Sequence, residues 1–215
     1  MDISNFLKVP LQGSADQIDR LIALQALFSQ ACNAISPVAQ QNRCWNRVAL
    51  HHLVYHKMRQ QFEQLGSQMI CNAVYSVCRI YRLVYESPSS PFGLAIREGK
   101  ELPLIKFLSN APVYFDRHTL SIKGNVLSLY SLNGRVRFQL NLNQDALEQF
   151  EKQKLREIIL TQDELQFNLS FAFSESPGKV IDLQWPNYVV AMQDGVETFP
   201  VNSSIVDALN ERKAS

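Results

Sequence analysis

His52 and His56 stand four residues apart, the spacing at which a helix presents two imidazoles on one face, as zinc ligands are presented. Zinc requires two further ligands, and no Cys, Asp or Glu stands nearby at a spacing that would supply them, so no metal is expected. Cys32, Cys44, Cys71 and Cys78 form no C-x-x-C pair. Three of them fall in helical stretches at largely apolar positions, which reads as reduced structural thiols in an intracellular, cytoplasmic setting. Neither a G-x-S-x-G elbow nor a phosphate-binding glycine loop is present. Asp163 and Glu164 adjoin an expected turn, where solvated charge is the default. Asp182 differs, because it interrupts the apolar run Val180-Ile181-Asp182-Leu183, where a carboxylate is costly without a partner. An outward-facing strand position explains it equally well. With no complete set of catalytic groups, neither enzymatic activity nor a cofactor is expected.

Charge points elsewhere. The net charge is +1, but residues 1–108 carry 11 Lys/Arg against 7 Asp/Glu and residues 109–215 carry 10 against 13. Within 41–82, Arg43, Arg47, Lys57, Arg59, Arg79 and Arg82 face only Glu63. Three histidines and the aromatics Trp45, Tyr55, Phe62, Tyr75 and Tyr81 share that stretch. A basic, aromatic segment in a near-neutral chain points to a phosphate-bearing partner, with a solvated helix face as its plain alternative. No apolar run reaches the roughly 18 residues of a membrane span, and the first ten residues lack the pattern of a signal peptide.

The elements that must position these residues follow from periodicity. Residues 3–10 read as a short strand, and Ser14 with Gln17 forms a capping box. The helix it opens has an apolar stripe at Ile18, Leu21, Ile22, Phe28, Cys32 and Ile35, interrupted by Gln25. A second helix is expected over about Ala49–Leu65, with Leu50, Leu53, Val54, Met58 and Phe62 inward. The third places Ile70, Val74, Val77, Tyr81 and Val84 inward and Asn72, Tyr75, Arg79 and Arg82 on or near the other side. A Ser/Pro-rich break over 86–91 marks a boundary, after which the period becomes two. Gly124-Asn125 and Asn133-Gly134 are hairpin signals. A short helix over Gln144–Lys152, then strands over 157–161, 165–173, 180–183 and 188–192 and a helix over 204–212 complete the reading. The expected class is α+β: an antiparallel β-barrel carrying an inserted three-helix unit.

Several segments together resemble the TnpB family, the transposon-encoded RNA-guided nucleases related to type V CRISPR effectors. They are Ala31-Cys32-Asn33-Ala34-Ile35-Ser36, Leu50-His51-His52-Leu53-Val54-Tyr55, Ser67-Gln68-Met69 with Tyr81-Arg82, residues 116–122, residues 132–136, and Val180-Ile181-Asp182-Leu183. The resemblance spans nearly the whole chain. It implies a first wedge-barrel strand in 1–12, a helical recognition-type lobe in 13–86, a linker in 87–112, the wedge-like barrel in 113–176 and a short RuvC-like hairpin stub in 177–215. Asp182 then matches the first RuvC metal-binding acid. The chain given ends about 30 residues later without the other acids, Gln184 replaces the family's glycine, and Asn72, Tyr75 and Ser76 replace often-basic positions. Two-metal cleavage needs several carboxylates to hold cations about 4 Å apart, so the site is vestigial.

The resulting expectation is a nuclease-deficient, non-catalytic module that binds structured RNA or an RNA–DNA duplex. Arg43, Arg47, Lys57, Arg59, Arg79 and Arg82 would contact phosphates, with Tyr55 and Tyr75 available for stacking. The alternatives are a subunit that pairs with a separate nuclease chain and an inactive transposon remnant.

Overall fold

The structure, a computed structural model, describes residues 6–86, 90, 92, 102–116, 118–163, 166–173, 187–193 and 196–200. Strand β1 (Phe6–Pro10) leads into α1 (Ala15–Gln41), α2 (Arg47–Gln61) and α3 (Ser67–Glu86). Then come β2 (Leu104–Phe107), β3 (Val113–Phe115), β4 (Leu120–Lys123), β5 (Val126–Ser131) and β6 (Gly134–Gln139). Helix α4 (Gln144–Lys152) precedes β7 (Leu155–Asp163), β8 (Gln166–Phe173), β9 (Val189–Gln193) and β10 (Val196–Pro200).

The strands form three antiparallel sheets: A in the order β1-β8-β7-β3, B in the order β10-β9-β2, and C in the order β4-β5-β6. Pairing of Phe6–Pro10 with Asn168–Ala172 brings the start of the chain against a strand more than 150 residues later. The three helices connect β1 of sheet A to β2 of sheet B, within the long stretch of chain that separates the neighbouring strands β1 and β8. The mixed α+β class holds, but among the described residues no sheet closes on itself, where a barrel was expected. Asp182, the 180–183 strand and the 204–212 helix lie outside the described residues.

Local chemistry explains the helix boundaries. The Ser14 hydroxyl accepts from the Gln17 N–H, while the Gln17 side chain accepts from the Ser14 N–H. The same Gln17 amide donates to the Arg137 carbonyl at 2.6 Å, tying the helix start to β6. Asn46 caps α2 by accepting from Val48 and Ala49 N–H groups, so the helix begins two residues earlier than its apolar stripe suggests. The first hairpin turns on Gly124 at φ +54°, a left-handed conformation that favours glycine. In the second, Ser131 pairs with Gly134, so the turn centres on Leu132-Asn133 and is followed by Gly134 at φ +90°. That is one residue earlier than the Asn-Gly signal implies, the arrangement of a turn closed by a left-handed glycine.

Hydrophobic burial is continuous, joining Leu21, Phe28, Val77 and Tyr81 of the helices to Phe107, Leu129, Leu169 and Phe171 of the sheets in one cluster. Helix α1 is long and apolar enough by length and composition to cross a membrane, yet half of that stretch is buried inside this fold. Its polar side chains explain why. The Gln25 amide donates to the Asn110 and Ala111 carbonyls at 3.0 and 3.2 Å. Asn33 exchanges two hydrogen bonds with the Phe107 backbone at 2.8 and 2.7 Å. Ser36 and Gln40 donate to the Ile105 and Leu102 carbonyls. Gln25 is therefore no interruption of an apolar stripe, and residues 102–111, within the stretch read as a linker, are bonded to α1 rung by rung. Asn33→Leu is expected to strand the Phe107 N–H and carbonyl and to lower stability by about 1–3 kcal/mol in urea denaturation.

Candidate nucleic-acid interface

Helix α2 buries only Leu50, Val54 and Met58, a single i, i+4, i+8 line. Everything else on it is available to solvent or to a ligand, including Leu53, which was expected inside and is 53% exposed. Arg47, His51, Tyr55 and Arg59 repeat every four residues and form a second line along the helix. The Arg47 guanidinium lies 5.3 Å from the centre of the Tyr75 ring. His51 stacks on Tyr55 at 4.5 Å with the ring planes 25° apart, and His52 and His56 meet these rings edge-on. Partial burial, then His52, Arg47 and His56, lower the His51 pKa below 6.5, which leaves its ring neutral and stacked at neutral pH. Lys57 is exposed on the same helix.

At its C-terminal end this line passes onto sheet C. The Arg59 guanidinium donates to the Leu65 carbonyl. Next to it, the Gly66 N–H donates to the Tyr130 hydroxyl at 2.9 Å and Tyr130 donates to the Gln64 carbonyl at 2.8 Å. Tyr130 is the cross-strand partner of Arg135, whose guanidinium lies over Ser128 and Ser121. Lys123 and Arg137 are exposed on the same sheet. Arg135 bonds only neutral oxygens, and no described carboxylate forms an ion pair with Lys123, Arg135 or Arg137.

These three residues escaped the sequence reading although a signal existed. Residues 117–144 contain Arg117, Lys123, Arg135 and Arg137 and no Asp or Glu. Dividing the charge near residue 108 buried this basic run among the 12 Asp/Glu that follow residue 144.

Not every expected contact residue belongs to the belt. Helix α3 is buried on both sides: against α1 and α2 on one, and against β3 on the other. Asn72 is 5% exposed and donates to the Tyr114 carbonyl at 2.9 Å. Arg79 donates to both carboxylate oxygens of Glu157 at 2.7 and 2.8 Å, and the Tyr75 hydroxyl donates to the same carboxylate. Burial opposes the Arg79 charge, but Tyr114, Glu157 and Tyr75 around it more than offset this and raise its pKa. With Arg47 on its face, Tyr114 edge-on at 5.3 Å and Glu157 on its hydroxyl, Tyr75 is a brace rather than a stacking platform. Arg82 is exposed on α3 with no described ion-pair partner.

Arg43 follows α1 and holds φ +46°, in the left-handed region where a side chain costs roughly 1–2 kcal/mol. Glycine is the ordinary residue at such a helix end. Arg43→Gly is expected to raise stability by up to about 1 kcal/mol in thermal unfolding, because glycine takes this conformation without the side-chain cost. A melting temperature lowered by the change would count against strain at this position.

Among the described residues no group of three or more His, Cys, Asp or Glu could hold a metal ion. The chain is thus a mixed α+β protein with a basic and aromatic belt running from one helix onto one sheet. Compared with known proteins, it matches no protein-family model and no curated protein.

Proposed function

We propose that this protein is a non-catalytic nucleic-acid-binding module, a relative of TnpB that holds structured RNA or an RNA–DNA duplex along the α2–sheet C belt. In this reading sheets A and C are two parts of a wedge-type barrel and the helices are the recognition lobe. The single observation that carries it is the continuity of the belt: Arg47, His51, Tyr55 and Arg59 in line, then Tyr130 with Arg135. Unpaired cations supply sequence-independent affinity for phosphates, and exposed rings offer faces to unstacked bases. Regular spacing along a helix suits a backbone whose charges also repeat. Arg43, Lys57 and Arg82 would extend the contact, and Arg79 would stay with Glu157.

A stem-loop RNA titrated by fluorescence anisotropy between 50 and 200 mM salt tests this. Replacing Arg47, Arg59, Lys123 and Arg137 with Ala is expected to flatten the slope of log affinity against log salt by about three, a little under one per lost phosphate contact. No binding by the parent at low salt, or an unchanged slope in the variant, would remove the reading.

One observation favours assembly with a protein chain instead. Val48 and Leu53, on the same helix, are 66% and 53% exposed. In that case Val48→Ser with Leu53→Ser would abolish partner binding and leave RNA affinity, if any, untouched.

A further inference from the structure

Sheets A and C do not join, and the opening between them is a groove of about 780 Å³. One wall is β4, the edge strand of sheet C. Leu120, Ser121 and Ile122 all line the groove, so side chains from both faces of the strand border it and the edge of the strand itself looks in. Alternation in the hairpin fixes which backbone groups are unpaired. The two-residue turn makes Lys123 and Val126 a hydrogen-bonded pair, and the Tyr130 N–H bonds the Thr119 carbonyl at the far end. Ile122 is then in a non-bonded pair with Leu127, its N–H and carbonyl directed away from β5 into the groove. No described backbone group pairs with them.

The opposite wall is α4, with Leu147 and Phe150, and Ile158 of β7 forms part of the floor. Among the described residues that line the groove, the carboxylates are Asp116, which also accepts from the His118 and Thr119 N–H groups, and Glu151, exposed on α4, with no Lys or Arg. An open strand edge facing a helix across an apolar trough is the arrangement into which proteins add a foreign strand. Strand edges that are neither paired nor covered are otherwise a liability.

We infer that this groove binds an extended segment of a partner protein, added antiparallel or parallel to β4, with alternate apolar side chains in the trough and Lys or Arg beside Asp116 and Glu151. The unpaired Ile122 backbone requires an extended chain, the trough requires apolar residues at every second position, and Asp116 and Glu151 select positive charge. The inference does not rest on the nucleic-acid reading, although the groove and the belt share strand β4, where Arg135 reaches Ser121.

The test pans a library of random displayed octapeptides against the purified protein without nucleic acid. Enriched peptides are expected to alternate apolar residues with Lys or Arg. Ile122→Pro removes the edge N–H, and should weaken the best peptide about tenfold by titration calorimetry. Glu151→Lys, an exposed change on α4 that leaves the core alone, should shift selection from basic to acidic peptides. No enrichment, or peptides indifferent to Glu151→Lys, would overturn the inference. So would a concentration-dependent dimer of this chain that Ile122→Pro abolishes, because the occupant would then be a second copy.

Discussion

Raised from pH 9 to about 11.5, the protein is expected to unfold in one cooperative step. Four ionisable groups sit in the core as neutral acids. Burial pushes the Cys32 thiol up to about 12 and the Cys78 thiol up to about 11, from an ordinary 9.0. It likewise raises Tyr81 to about 12 and Tyr114 well above 10.0. The unfolded chain releases these protons first, the thiols near 9.0 and the phenols near 10.0. Stability is therefore intact below pH 9 and falls as pH rises toward the folded values. Each group contributes up to about 1.4 kcal/mol per pH unit between its unfolded and folded values, so together they remove a few kcal/mol, on the order of half a typical domain's stability, above pH 10. A domain holds only about 5–15 kcal/mol in total. Far-ultraviolet circular dichroism from pH 7 to 12, with phenolate absorbance recorded alongside, reads both events. Buried phenols should ionise together with the loss of helix. Ionisation of all seven tyrosines near pH 10 in a chain that keeps its helices would contradict the buried hydroxyl of Tyr81 between Ser36 and the β2 backbone.

What could be read from the residues was what is local in the chain. The capping box at Ser14, the helix at Gln144–Lys152 and the hairpins of sheet C depend on neighbours within a few positions, and their turn chemistry is written in place. The ladder on α1 was not legible, because Gln25, Asn33, Ser36 and Gln40 bond backbone groups 62 to 86 residues away. Nothing in a helical period distinguishes such a polar residue from a solvated one. The same reason misplaced Asn72 and Arg79, whose partners Tyr114 and Glu157 lie on strands of sheet A. Leu53 failed in the opposite direction: α2 lies at the margin, so one narrow stripe suffices to seat it and an apolar neighbour is left outside. For the candidate site, composition located the helical half and missed the sheet half. A pleated strand separates its cations by an apolar residue each time, as Arg135-Val136-Arg137 does, so the basic character shows only when residues 117–144 are taken by themselves.

Arg79→Ala and Arg82→Ala, three residues apart on α3, are expected to give opposite results. Arg79 is 36% exposed and its partner Glu157 is 22% exposed, so water screens the pair only in part. Breaking a surface pair costs up to about 1 kcal/mol and a buried one about 3–5, which places Arg79→Ala near 2 kcal/mol of lost stability. Glu157→Ala should cost at least as much, since it leaves the guanidinium without its carboxylate and the Tyr75 hydroxyl without its acceptor. The double variant should then recover part of the sum, giving a coupling of about 1–2 kcal/mol in a urea-denaturation cycle. Arg82 is exposed and outside the cluster, and its replacement should leave stability within about 0.5 kcal/mol. On RNA the order reverses. At temperatures where every variant is fully folded, Arg82→Ala should flatten the salt slope by a little under one, and Arg79→Ala should not move it. An Arg79→Ala protein that loses salt dependence without losing stability would mean that Glu157 releases the guanidinium to phosphate. The Arg79–Glu157–Tyr75 cluster would then belong to the interface rather than to the fold that supports it.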